Sequence, residues 1–304
     1  MKTPFDIRTG WPADLEKAAE FLNKNLDYDT MTPGLLREKL YDDPGANPDL
    51  CFSAYREGEV VGFLFAVVRQ IKDDLYGYIK LVAVEGKCRR QGIGSALYDA
   101  AEKALTNVGV SLIRWLDVPL NYFMPGIDPR YTPAICLAWK KGFTQFGESI
   151  NMVADLTVSE WDTSDEELQL AGKGLEIRRA VKNDKTGLLR FLEQDWLLWQ
   201  HETLMALENE PPSAHIALRD GEILAFSLHD ANNKGTGWFG PMGTHASLRG
   251  MGVGSLLLKR CLKDMRQQGY TTAIIPWVGP VAFYAHYVNA RIDRVFWRME
   301  KKIK

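Results

Sequence analysis

The 304-residue sequence is poor in cysteine, in uninterrupted apolar runs and in excess charge of either sign. Its four cysteines, Cys51, Cys88, Cys136 and Cys261, are scattered and form no C-x-x-C pair. That argues against a disulfide framework or a zinc site and fits a reducing, cytoplasmic setting. No stretch approaches the ~18 uncharged apolar residues of a membrane span, and residues 1–8 lack an apolar core of signal-peptide length. A formal net charge of −2 leaves no electrostatic footprint for nucleic acid, and no like-charge block is long enough for an interaction tail. A soluble, intracellular globular chain is expected. At 46% hydrophobic it can bury real cores, and its length suits two domains.

The two halves read alike. Phe5-Asp6-Ile7-Arg8 precedes a helical stretch over 13–26, with Leu15, Ala18, Ala19 and Leu22 at helical spacing; Leu175-Glu176-Ile177-Arg178 precedes Leu188, Leu189, Leu192 and Trp196. Each half then offers a hairpin: 51–55 and 60–67 flank Arg56-Glu57-Gly58-Glu59, and 214–218 and 223–228 flank Arg219-Asp220-Gly221-Glu222. Between the halves, the polar, acidic and Gly-flanked segment 157–174 reads as a linker or as a surface helix with a loop. The expected domains are 1–156 and 175–304.

A strand-to-helix loop then occurs twice. Tyr78-Ile79-Lys80-Leu81-Val82-Ala83-Val84 reads as a strand and leads into Arg89-Arg90-Gln91-Gly92-Ile93-Gly94-Ser95 and a helix. Trp238-Phe239-Gly240-Pro241-Met242-Gly243-Thr244 leads into Arg249-Gly250-Met251-Gly252-Val253-Gly254-Ser255 and another. Both loops read R-x-x-G-x-G-S, 160 residues apart. Glycines let backbone N–H groups converge on an anion, and the helix adds unpaired N–H groups and its positive dipole end. A pyrophosphate suits such a loop, with Arg89 or Arg249 adding charge. Leu97 and Leu257 stand where a dinucleotide fingerprint needs a third glycine, and no Gly-Lys-Ser/Thr follows, so neither that fingerprint nor a Walker loop fits.

These motifs resemble the GNAT superfamily of N-acetyltransferases, most strongly over 78–105 and 237–268. The resemblance implies two tandem α/β domains, each a mixed, mostly antiparallel sheet flanked by helices, and coenzyme A held as acetyl-CoA. The family's second element is a strand and a helix whose Tyr protonates the departing thiolate. In the second half 271–276 resembles the strand and 281–287 the helix, which places Tyr284 as the acid; Trp277 replaces the family's Asn. In the first half 111–116 and 134–143 match, with Ala138 at the Tyr position and Tyr131 at the Asn position. The resemblance thus implies a catalytic second half and a first half that keeps its loop without the acid. Backbone N–H groups of Met242, Gly243 and Thr244 would polarise the thioester carbonyl, and Val82, Ala83 and Val84 occupy the same place in the first half.

The acceptor is expected to be a small-molecule primary amine, with an amino sugar such as glucosamine suggested by family analogy alone. No general base is identified: His229, Asp230, His245 and His286 each read better as surface or hydrogen-bonding residues. The stretch Asp195-Trp196-Leu197-Leu198-Trp199-Gln200-His201-Glu202 reads as core packing or as an aromatic wall for a cationic amine or sugar. The loop 121–128 would line a site in the first half or serve as an ordinary contact. Two rival functions remain: a coenzyme-A sensor or scaffold without turnover, and activity in both halves, the first using Tyr122 or Tyr131. Oligomeric state is not legible.

Overall fold

The computed structural model describes residues 4–303; Met1–Thr3, where the N-terminal reading begins, and Lys304 lie outside the described residues. The chain forms two compact units. Unit 1 contains the residues up to Ser149 and those from Val295 onward, and unit 2 is Ile150–Arg294.

Unit 1 opens with β1 (Asp6–Thr9), α1 (Leu15–Asn25) and α2 (Pro33–Leu40). Asp14 caps α1 by accepting from the Lys17 N–H, and Thr32 caps α2 by accepting from that of Leu35. Then come β2 (Cys51–Arg56), β3 (Glu59–Ile71), β4 (Asp74–Val84), α3 (Ile93–Asn107), β5 (Leu112–Trp115), α4 (Thr132–Lys140) and β6 (Thr144–Asp155). In unit 2, α5 (Ser164–Ala171), β7 (Glu176–Arg179), α6 (Lys185–Asp195) and α7 (Gln200–Leu207) precede β8 (Ala214–Arg219) and β9 (Glu222–His229). It continues with β10 (Phe239–Thr244), α8 (Val253–Gln267), β11 (Thr272–Ile275) and α9 (Val281–Val288); β12 (Arg291–Lys302) ends the chain. Both expected hairpins form. Glu57 and Gly58 turn with φ of 53° and 86°, and Asp220 and Gly221 with 52° and 80°, the doubly left-handed turn that matches strand twist.

The sheet of unit 1 runs β1-β2-β3-β4-β5-β12, and its neighbours are antiparallel except β4 and β5. Unit 2 orders its antiparallel strands β10-β9-β8-β7. A parallel bridge from Trp238 to Ile274 joins this sheet to β11, which pairs antiparallel with Met152–Asp155. Each unit is thus a mixed, mostly antiparallel sheet flanked by helices. Fully buried side chains along β3, β4, α3 and β5 build the core of unit 1, to which β12 adds Phe296 and Met299. Unit 2 packs α8 against its sheet through Val253, Leu256, Leu257, Cys261 and Leu262.

The boundaries differ from those expected at 156 and 175. The last strand, grouped with the second half from sequence, belongs to unit 1, where Met299 pairs with Trp115. The segment 157–174 contains α5, which is bound to α8 by ion pairs from Glu166 to Lys259 and from Glu167 to Arg260, both 2.5 Å. Leu170 is buried in the same core cluster as Val253 and Leu257.

Candidate functional site

In each unit two parallel strands part at a bulge. β4 pairs with β5 only from Tyr76–Leu112 to Ile79–Trp115. On its other side the register jumps, Phe65 facing Leu81 and Ala66 facing Ile79, so Lys80 is the extra residue. In unit 2 Trp238, the residue before β10, makes an isolated parallel bridge to Ile274 of β11, and the register slips between Phe239 and Met242 around Gly240 and Pro241. Beyond each bulge, Val82–Val84 and Met242–Thr244 pair on one side only. Their outward backbone groups line an open slot in the sheet, because successive N–H groups of a strand alternate in direction.

The two R-x-x-G-x-G loops follow. Gly92 and Gly252 cap α3 and α8 in the left-handed region, with φ of 95° and 85°. Two residues earlier the conformation is left-handed again, at Arg90 (63°) and Gly250 (79°). Alternation of this kind turns successive N–H groups to one side, as an anion needs. A Cβ on Gly92, Gly250 or Gly252 would meet nothing within 4 Å. Two residues on, within the first turn, the helices press against the strand ends. A Cβ on Gly94 would lie 3.2 Å from Leu137 and 3.5 Å from Val84; one on Gly254 would lie 3.4 Å from Thr244, 3.5 Å from Met242 and 3.7 Å from Phe283. The strand end, the helix N-terminus and the following helix, α4 or α9, therefore converge in both units. The cradle fits a diphosphate-bearing cofactor.

The remaining loop residues divide. Ile93 and Val253 are buried and offer only backbone. Ser255 donates to the Gly252 carbonyl at 2.9 Å, and Gln91 donates to that of Lys87 at 3.0 Å. Met251 is half-buried against the core cluster of α8, and Ser95 is half-buried in the first turn of α3. The arginines are not alike. Arg89 donates to the Val84 carbonyl at 3.1 Å and the Asn25 carbonyl at 3.3 Å, which ties its loop to the end of α1. Arg249 is exposed and pairs with no described residue. An anion charge from Arg89, expected from sequence, thus competes with a structural bond.

Tyr284 lies on α9 one residue after Phe283, which faces Gly254. It is 7% exposed, packs edge-on to Phe239 (6.2 Å) and Phe283 (5.1 Å), and burial pushes its phenol up from its ordinary value. At the matching place on α4, Ala138 is fully buried. Tyr131 donates to Asp29 at 2.7 Å and accepts from the Tyr28 N–H at 3.0 Å. The turn bearing Trp277 has φ of 45°, and its N–H donates to Asn151 at 3.0 Å.

The opposite face of each slot was not legible beforehand. In unit 1 the bulge aims Lys80 into a buried charge cluster. Its ammonium pairs with Asp43 and donates to the Lys39 carbonyl at 2.8 Å, while Arg69 reaches Asp43 at 2.7 Å. Burial pulls Lys80 down to about 7, and the two cations hold Asp43 below its ordinary value against the opposing effect of burial. A lysine inside an otherwise apolar strand was the available signal. In unit 2 the bulge has Gly240, whose Cβ position is open, and the same face has aromatic rings. A Cβ on Gly243 would come within 2.9 Å of Phe226 and 3.2 Å of Trp196.

Of the base candidates, His229 is buried with Nε2 3.3 Å from Asp264, a carboxylate also held by His215 at 2.7 Å and by Arg179. Arg260 donates to His215 Nδ1 at 3.0 Å, so His215 is neutral and donates from Nε2; burial lowers its pKa. His245 caps its own turn through Ser247, Asp230 accepts from the Gly235 N–H, and His286 packs on Tyr287. Among the described residues no group of His, Cys, Asp and Glu is arranged to hold a metal ion, and no helix is long and apolar enough to cross a membrane.

A family model described as "Acetyltransferase (GNAT) family" matches residues 18–123 and 178–286. No curated protein matches the chain in sequence. Among solved structures, the chain resembles a GCN5-related glucosamine N-acetyltransferase region of a fungal multi-domain GH3 β-N-acetylglucosaminidase, with TM-score 0.81 and 16% identity. That match covers 98% of this chain and only 38% of the fungal one. A GCN5-related N-acetyltransferase from Sphaerobacter thermophilus gives TM-score 0.68 and 18% identity over 99% and 96% of the two chains. A tandem GNAT protein from the clavulanic acid biosynthesis pathway gives 0.67 and 13% over 98% of each. At these identities the likenesses establish the fold.

Proposed function

The chain belongs to the acetyltransferase (GNAT) family, as a tandem pair of its domains, and from that premise we propose that unit 2 moves an acetyl group from acetyl-CoA to the primary amine of a small molecule. An amino sugar such as glucosamine is the favoured acceptor. The fungal region named above supports that choice as a fold neighbour.

The observation that supports placing the chemistry in unit 2 is the contrast between the slots. Unit 2 combines a cradle of glycines, an unpaired Arg249, an open bulge at Gly240 and Tyr284 on the adjoining helix. Unit 1 has a latched Arg89, a charge cluster around Lys80 and Ala138. Bound acetyl-CoA would supply the acetyl group as a thioester. Backbone N–H groups over Gly250–Ser255, with Arg249, would hold the diphosphate in unit 2; Arg90–Ser95 would do so in unit 1. N–H groups along Met242–Thr244 would face the carbonyl oxygen, where one such donor contributes ~2.7–4 kcal/mol. Tyr284 holds its proton on Oη, ready for the leaving sulfur.

Titration of acetyl-CoA by calorimetry into wild type, Gly92→Trp and Gly252→Trp, paired with thiol release on an amine panel, tests the assignment. Gly252→Trp is expected to lose one site and all turnover, and Gly92→Trp to keep turnover. Turnover that survives Gly252→Trp and disappears in Gly92→Trp would reverse the assignment.

A further inference from the structure

The connection that follows the parted strand differs between the units. In unit 1 residues 116–131, sixteen in all, lead from β5 to α4, whereas in unit 2 the five residues 276–280 lead from β11 to α9. Connections of the longer kind usually run over a surface. In unit 1 no residue from 116 to 129 is exposed, and Val118 and Ile127 are fully buried. The segment lies on the Lys80 face of the slot. Arg69 donates to the Pro119 and Leu120 carbonyls at 2.9 and 3.4 Å, Lys39 donates to the Asn121 side chain at 2.7 Å, and Asn121 donates to the Glu38 carbonyl at 2.7 Å. Arg69 also holds Asp43, the partner of Lys80, so the charge cluster fastens the segment. At its far end Ile127 and Trp297 exchange backbone bonds of 2.9 and 2.8 Å. Leu116, Leu120 and Asn121 are held left-handed, with φ of 72°, 64° and 49°, a conformation that costs energy in residues other than glycine. Asp117 Oδ1 and the Tyr78 hydroxyl, which feels the charges of Asp117 and Arg69, are buried without a hydrogen-bond partner among the described residues. A segment that only completed a core would satisfy them.

An acceptor has to approach a thioester lodged in the slot from the face that the glycine cradle leaves free. In unit 1 residues 116–128 stand on that face. Resting on the reading that both cradles hold acetyl-CoA, we infer that 116–128 is an autoinhibitory plug: it keeps unit 1 from passing an acetyl group on, and loosening it exposes the thioester there to water. The oxygen of water then bonds to the acetyl carbon as the C–S bond breaks. Acetate and the free thiol leave, one proton of water passing to the sulfur and the other to solvent. This step needs no tyrosine, in keeping with Ala138 on α4.

Two substitutions loosen the plug at opposite ends. Asn121→Gly suits the left-handed backbone and removes the side chain between Lys39 and Glu38. Gly126→Ala sets a Cβ 2.8 Å from the Trp297 carbonyl oxygen, which drives the segment off β12. Each is made in Gly252→Trp, where unit 2 is silenced, and followed by hydrogen exchange, by acetyl-CoA calorimetry and by thiol release without an amine. Exchange over 116–128 is expected to rise in both while β3 and β4 keep their protection. Thiol release should be about tenfold faster than in Gly252→Trp alone, with acetyl-CoA affinity within about twofold. Faster exchange of the segment without faster thiol release would overturn the plug. Unchanged exchange in both variants would overturn it too, and so would loss of protection across β3 and β4 in both, the mark of a core segment. If Gly252→Trp binds no acetyl-CoA, the plug has no thioester to cover and is refuted, while acetyl transfer in unit 2 stands. Thiol release from the loosened variants of a chain whose wild type acetylates no amine supports the plug and refutes transfer by unit 2.

Discussion

Single residues separate the two units more sharply than their shared fold does. Tyr284 and Ala138 occupy matching places on α9 and α4, and only the first has a proton to give. Burial raises the Tyr284 phenol, so it stays protonated through the whole neutral range and beyond pH 10. Tyr284→Phe is therefore expected to lower kcat by about 10²-fold, within the ~10²–10⁴ that positioned proton transfer contributes. Acetyl-CoA affinity should be unchanged. The wild-type kcat should show no decline between pH 8 and 10 attributable to this group, since a raised pKa moves its deprotonation upward. A pH–rate profile of both proteins on the best amine checks this, and equal kcat values would remove Tyr284 from the chemistry. Residue identity made this much legible: a tyrosine at a family position, and glycines that only a left-handed turn explains. Lys80 and Asp43 were not legible as partners, because they stand 37 positions apart in sequence and Lys80 is itself the bulge residue.

At the scale of elements, the repeated strand-loop-helix was readable because its signals are local: β-type runs, glycine turns and a helical period. What the loop's arginine does was not, since it depends on where the end of α1 lies. Asn25 accepts from Arg89 through its carbonyl and from the Gly86 N–H through its side chain, at 3.3 and 3.0 Å. The same motif residue is thus a latch in unit 1 and an unpaired surface charge in unit 2. Arg89→Ala is expected to destabilise the protein by roughly 1–2 kcal/mol, the low end for hydrogen bonds to a charged donor, because the guanidinium is partly exposed. Arg249→Ala should leave stability within about 0.5 kcal/mol of wild type. It should instead weaken acetyl-CoA binding and flatten its dependence on salt. Urea unfolding and calorimetry at two ionic strengths distinguish the pair, and the same loss of stability in both variants would contradict the difference in role.

For the whole molecule, the sequence announces duplication but not the path of its final strand. Residues 291–302 have strand character that any sheet edge would accept, and pairing with β5, far back along the chain, is a long-range choice that local pattern does not encode. That choice makes the C-terminus structural for unit 1. Phe296 and Met299 are fully buried in its core, and Arg298 holds the buried Asp117 at 3.0 Å. Burial pushes Asp117 up to about 7 even with that partner, and Arg114 lies farther off at 4.0 Å. Ending the chain at Arg294 would remove two core side chains, at about 2–5 kcal/mol each. It would also leave a buried carboxylate short of its closer cation, at roughly 3–5 kcal/mol more. Together these losses rival the ~5–15 kcal/mol that holds a typical domain folded. Hydrogen exchange on the truncated chain is expected to show α3, β4 and β5 unprotected while α8, β8 and β9, whose core lies within Ile150–Arg294, keep their protection. Retained protection across α3 and β5 would mean that the first sheet stands without its sixth strand.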